Sequence, residues 1–172
     1  MSTQLSVKST ERGNHYKQRL PDGNLVEFLA SPSEAGAEIC LIRGTIPPGV
    51  VVPLHSHADV EIFYVLEGSL ESFQAGDGIS RWTTVGAGDV VTVSGNTKHA
   101  WRNCSSFPAI VILVTTSKMY EFLNEITKPI DADQSMSPPT AEEIQELFRI
   151  AARYGYWMSS PEENAAIGLS MK

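Results

Sequence analysis

Between residues 25 and 116 the chain is a succession of short apolar-rich runs broken by glycine, proline, asparagine or serine. Eight of them read as strands: LVEFLA (25–30), EICLIRGTI (38–46), VEIFYVLEG (60–68), SLESFQAG (69–76), RWTTV (81–85), DVVTVS (89–94), HAWRNC (99–104) and AIVILVTT (109–116). Runs of this length between turn residues are strand signals. Many of them at regular spacing predict a barrel or sandwich. Several are continuously apolar, which predicts cover on both faces.

The period changes after residue 116. In KMYEFLNEI (118–126), Met119, Phe122, Leu123 and Ile126 fall on one helical face. A polar linker ending in SPPT leads to Thr140 and Glu143, a T-x-x-E capping box. Ile144, Leu147, Phe148 and Ala151 then form an apolar stripe, with Gly155 as a stop. Ser160-Pro161-Glu162-Glu163 reads as another helix start with proline in the first helical position. The expected organisation is an N-terminal arm (1–24), an all-β barrel (25–116) and a helical extension (117–172) packed outside the barrel. At 172 residues the chain has the size of one domain.

Composition narrows the partners. The formal net charge is -7, and no basic run offsets it, so phosphate backbones are repelled and nucleic acid is not an expected partner. The N-terminal stretch has no apolar segment of the secretory kind. The longest apolar run, AIVILV (109–114), is far too short to span a bilayer. A cytoplasmic setting without membrane contact is the expectation. Cys40 and Cys104 form no C-x-x-C pair and are expected to be small buried thiols.

The stretch HSHADVEIFYVLEG, from His55, sets two histidines and a glutamate against an otherwise apolar strand. Burying such groups is costly unless something satisfies them. His55, His57 and Glu61 share strand parity, so all three can face one side. A later strand adds His99, a further polar ring in an apolar setting. Three imidazoles and a carboxylate suit a divalent transition metal: iron, manganese, nickel, copper or zinc. A closed structural zinc site would normally contain cysteine. A six-coordinate metal with four protein ligands would keep two positions for substrate or dioxygen. The alternative is a set of hydrogen-bonded core histidines, each then needing a partner. His15 lies in the polar arm, outside this pattern.

The full spacing is Gly49, five residues, His55, one residue, His57, three residues, Glu61, six residues, Gly68. Further on, Gly88-Asp89 leads through VVTV to Ser94-Gly95-Asn96, then His99 and, after three residues, Asn103. This resembles the two motifs of the cupin superfamily. The first is matched throughout. The second departs at Ser94, where the family usually has proline, and at Asn96, where it usually has glycine. Gly95-Asn96 still suits a tight two-residue hairpin turn. The resemblance implies a double-stranded β-helix, the jelly-roll barrel of cupins. It also implies metal ligation by His55, His57, Glu61 and His99, and pairing through an outer face as a homodimer. Apolar N-terminal strands fit such a dimer.

Around that centre, Phe63 and Val65 share the parity of Glu61, and Trp101 that of His99, so these three are candidate pocket residues. Trp82 and Phe73 are more remote aromatic candidates. Tyr64, Lys98 and Arg102 have the opposite parity and are expected to face away; Arg43 and Arg81 have no assigned place. Asn103 and Asp89 are expected to pin turns, and Gly49, Gly68 and Gly88 to serve the backbone at strand ends. The helical extension is similar to that of quercetinase-like proteins. The leading function is therefore a metal-dependent dioxygenase acting on a small, largely apolar or aromatic molecule, with Glu61 as the candidate proton-transfer group. Two alternatives are a metal-dependent isomerase or lyase and a non-catalytic binding or sensing module.

Overall fold

The computed structural model describes residues 17–35, 38–76, 81–130 and 140–169. Most of the N-terminal arm, including His15, and the linker before Thr140 lie outside the described residues.

The expected strands form with small shifts at their ends: β2 (Leu25–Ala30), β3 (Ile39–Ile46), β5 (Glu61–Glu67), β6 (Ser69–Gln74), β7 (Arg81–Gly86), β8 (Val90–Val93), β9 (His99–Arg102) and β10 (Ala109–Thr116). Four more complete the set: β1 (Gln18–Arg19), β4 (Val51–Ser56), β11 (Lys128–Pro129) and β12 (Trp157–Met158). The helices are α1 (Pro32–Ala35), α2 (Ser117–Ile126), α3 (Ala141–Arg153) and α4 (Pro161–Ala166). Thr140 and Ser160 cap α3 and α4, each in a reciprocal capping box with the glutamate three residues on.

All pairings are antiparallel, and they make two sheets rather than one closed ring. The larger has the order β11-β1-β2-β3-β10-β5-β8, the smaller β12-β4-β9-β6-β7. One part of the large sheet's inner face meets the small sheet around Ile46, Val65, Leu70, Val93, Trp101 and Val111. Next to it, on the same side, Val26, Ile42 and Leu113 meet Met119, Phe122 and Leu123 of α2, with Ile150 and Ala151 of α3. Only α4 fits the expectation of helices outside the barrel. Its end packs through Leu169 on the small sheet's outer face, against Leu54, Phe73 and Ala100. By contrast, α2 and α3 prolong the interior, and β12 joins the small sheet as an edge strand on β4.

Strand β4 was not legible as a strand. Its Pro53 argues against one, and its alternation fails. Val52 and His55 both line the interior while Leu54 packs outside. The β4–β9 register slips between Val52 and His55. Such a bulge inserts one residue and re-aims the side chains beyond it. Here it turns His55 inward.

The Gly95-Asn96 turn is tight, but it is no hairpin: it carries the chain from β8 in one sheet to β9 in the other. Asn96 has φ 65°, a conformation asparagine tolerates better than most residues. A Cβ on Gly95 would collide with the Ala58 carbonyl oxygen. The absent side chain lets this turn lie directly on the segment carrying His57.

Candidate metal centre

The four polar candidates come from three elements and one crossover. His55 is on β4, His57 follows its last residue, Glu61 opens β5 in the opposite sheet, and His99 opens β9. Shared parity along one strand is therefore not what aligns them. The chain crosses between sheets at residues 57–60, so His55 and Glu61 approach from facing sheets. The ligand atoms of His55, His57 and His99 lie within 4.8 Å of one another. Glu61 Oε2 is 3.1 Å from His99 Nε2 and 3.5 Å from His57 Nε2.

Each imidazole is oriented by its other nitrogen. Nδ1 of His55 lies 2.7 Å from the Pro53 carbonyl oxygen, Nδ1 of His57 3.1 Å from that of Asp59, and Nδ1 of His99 2.8 Å from that of Thr97. A carbonyl only accepts, so Nδ1 carries the hydrogen in each ring. This assigns the neutral tautomer whose Nε2 lone pair faces the cluster. Glu61 adds a carboxylate, another acceptor. Nε2 of His57, Nε2 of His99 and Oε2 of Glu61 are buried against one another, and among the described residues no other hydrogen-bonding group reaches them. With neutral rings these atoms are all acceptors, and either a proton shared with Glu61 or a cation satisfies them. The residues thus fit a divalent transition metal, and a backbone carbonyl behind each imidazole is the usual outer support of such ligands.

The electrostatics agree. Burial, reinforced by the neighbouring His99, lowers the His55 pKa to about 3, so this ring stays neutral and able to ligate. Burial also pulls His57 down, but Glu61 outweighs it and the ring ends above its usual range. Burial pushes Glu61 up, yet His57 and His99 hold it well below the ordinary carboxylate range. Glu61 remains an anion, and a proton on His57 answers the same demand as a metal ion.

A cavity of about 250 Å³ runs from this cluster beneath α2 and α3. Phe63 and Trp101 line it, their ring centroids 4.6 Å apart. Val65 does not; it is fully buried in the core between the sheets, one layer further from the cluster. Phe73 and Trp82 pack together on the outer side of the small sheet. Tyr64 is exposed. Arg102 pairs with Glu71 and stacks on Trp82, and Lys98 covers Trp157. Arg43 and Arg81 are not among the cavity-lining residues. Asn103 donates to the Ile46 and Phe107 carbonyls, and Asp89 accepts from the Gly86 N–H. Gly49, Gly68 and Gly88 all have positive φ. Cys40 is buried as expected, but Cys104 is exposed.

Three residues beside the centre escaped the sequence reading. Asp59 is buried between two candidate ligands in the sequence, and its carboxylate accepts from Tyr156 (2.6 Å) and from Thr116. Its own carbonyl holds His57. Tyr156 also packs its ring 5.1 Å from that of His57. An acid two residues from both His57 and Glu61 was a sequence signal for Asp59; nothing local links it to a tyrosine 97 positions away.

Residues 42–115 match the family model Cupin_2, described as "Cupin domain". The match supports the cupin superfamily. The solved structures agree on the fold. A cupin 2 conserved barrel domain protein from Salinispora arenicola aligns over 88% of this chain and 99% of its own, at 20% identity and TM-score 0.52. A predicted oxalate decarboxylase from Thermotoga maritima aligns over 61% of this chain and 96% of its own, at 21% identity and TM-score 0.53. KdgF from Halomonas sp. aligns over 66% and 94%, at 18% identity and TM-score 0.53. No curated protein matches the chain. The cupin match ends before α2, so the helical roof of the cavity and Tyr156 lie outside it. Among the described residues, no helix is long and apolar enough to cross a membrane.

Proposed function

We propose that the protein is a metal-dependent dioxygenase of the quercetinase-like kind, acting on a small, largely apolar or aromatic molecule. The observation that carries this reading is the junction of an acceptor-only cluster with an apolar cavity. His55, His57, Glu61 and His99 would hold one divalent transition metal, which would supply Lewis acidity and a template for substrate and dioxygen. The chain's own residues do the rest. Backbone carbonyls fix the imidazoles, Phe63 and Trp101 present aromatic faces to the substrate, and the apolar walls exclude water from the reacting atoms. Glu61, anionic and within reach of two imidazoles, would be the proton-transfer group once it leaves the metal.

Among the described residues no lysine or arginine lines the cavity, which disfavours a phosphosugar or a small dianion such as oxalate. An isomerase or lyase acting on a charged substrate would commonly use such a cation, and a purely binding role is the other alternative. The test is oxygen uptake by metal-loaded protein across a panel of flavonols and diketones. Substrate-dependent consumption that His99→Ala abolishes supports the reading. Turnover under nitrogen would favour the isomerase or lyase, and saturable binding without product the binding module. A second copy of the chain is the proposed partner, seated on Ile62, Tyr64, Leu66 and Val90, all exposed on the large sheet's outer face. Sedimentation as a monomer at micromolar concentration would exclude that dimer.

A further inference from the structure

The cavity is polar at the cluster and, apart from Asp22 and Asn24, apolar beneath α2 and α3. There its wall is Leu123 and Ile126 of α2 with Ile144, Leu147 and Phe148 of α3, all beyond the segment that matches the cupin family. Sandwich closure does not explain this chamber, because the two sheets complete their own core around Val65 and Val93. A second observation points to a ligand. Trp101 is 5% exposed and lines the cavity, and its indole N–H has no hydrogen-bond partner. A buried donor without an acceptor costs about 1–3 kcal/mol, so it is expected to meet one in the working state.

From these features we infer that the substrate is an elongated amphipathic molecule. Its oxygen-bearing head meets the cluster, with one acceptor taking the Trp101 N–H. Its apolar tail runs beneath α2 and α3. The inference rests on the metal-centre reading for the head and on the chamber alone for the tail. At about 30 Å³ per water-sized group, a cavity of about 250 Å³ holds on the order of eight such groups. That sets the length of head and tail together. Ile144, Leu147 and Phe148 then act as the specificity residues, reading tail length.

Calorimetric titration of nickel-loaded protein with straight-chain hydroxamic acids of two to ten carbons tests this. Affinity should rise about fourfold per added methylene and stop rising near the chain length that fills the cavity. Leu147→Trp should cost octanohydroxamate at least tenfold while leaving acetohydroxamate unchanged. Leu147→Ala should move the break to a longer chain. Trp101→Phe should weaken every member by one common factor and leave the slope alone. A flat series, or one whose break moves with neither Leu147 variant, overturns the tail. A slope that survives with no effect of Trp101→Phe overturns the head contact. If no metal loads, the metal-centre reading fails by itself, and metal-free protein is titrated with n-octanol. Binding that Leu147→Trp abolishes keeps the tail chamber; no binding overturns it.

Discussion

Two carboxyl groups line the same cavity, and their surroundings push them in opposite directions. Glu61 is held anionic, because His57 and His99 outweigh the cost of burying it. Asp22, at the far end, is raised to about 6, because burial outweighs its hydrogen bonds from Asn24. The same wall thus presents a site organised around charge at one end and a place where charge is an expense at the other. The cluster end lies within the part that matches the cupin family, whereas the far end is closed by the helical extension. In this chain the candidate metal centre lies in the stretch that matches the cupin family, while the helical extension adds one wall of the apolar chamber, so the two ends can be probed separately.

The strongest disturbance is His99→Ala. It removes one of the converging acceptors, and metal affinity should fall by more than about a hundredfold, beyond what loss of an outer support costs. Elemental analysis beside wild type measures it. Retained stoichiometric metal would mean that the cluster is not a metal cage. Leu123→Ala strikes the other end. Its side chain is 8% exposed and packs in the core of α2 and α3. The variant should lose about 2–3 kcal/mol of stability in urea, at the lower side for a leucine because the cavity already adjoins it. Its metal content should not change. Metal lost along with stability would show that the two ends are one cooperative unit.

Tyr156→Phe lies between the two. Tyr156 belongs to the helical core through its ring and to the metal end through its hydroxyl on Asp59. Removing the hydroxyl leaves the packing and frees one side of the Asp59 carboxylate, whose residue also holds His57 by its carbonyl. Metal affinity should fall about tenfold, as for other supporting partners of a ligand. Competition with a chelator reads it, and unchanged unfolding of the metal-free protein would separate positioning from general destabilisation. Equal metal affinity would disconnect the extension from the centre.

How far the sequence alone shows these things follows from the same division. The strands from β2 to β10 other than β4 were readable because turn residues bracket them, and α3 because its capping box and stripe are local. The four candidate ligands are legible because a motif fixes their spacing, but common strand parity is not what brings them together. His55 faces inward only because of a bulge at Pro53, and His57 lies in a crossover rather than a strand. Such features depend on the partner strand, which a local pattern does not contain. Val65 illustrates the limit of parity: it faces inward as expected, but the small sheet has already covered it. The Tyr156–Asp59 contact and the position of α2 and α3 on the interior side are long-range packing outcomes with no periodicity to announce them.

The smallest expected effect concerns Asp22 itself, through pH. Its folded pKa is about 6 against an ordinary value of 3.8. Between those values the folded chain binds more protons than the unfolded one, so stability falls as pH rises across this window and stays lower above about 6. Asp22→Asn removes the titration. The variant should therefore gain relative to wild type on going from pH 4 to pH 7.5, by about 1 kcal/mol once solvent contact of this half-buried group is allowed for. Asparagine keeps an acceptor for the Asn24 N–H but not for the Asn24 side chain, which lowers the variant by an offset separate from the titration. The difference between the two pH values isolates the charge. Urea unfolding of metal-free protein measures it, and the histidines cancel because both chains carry them. A gain in the opposite direction would mean that Asp22 is stabilised as an anion, and the contrast between the two ends of the cavity would then rest on shape alone.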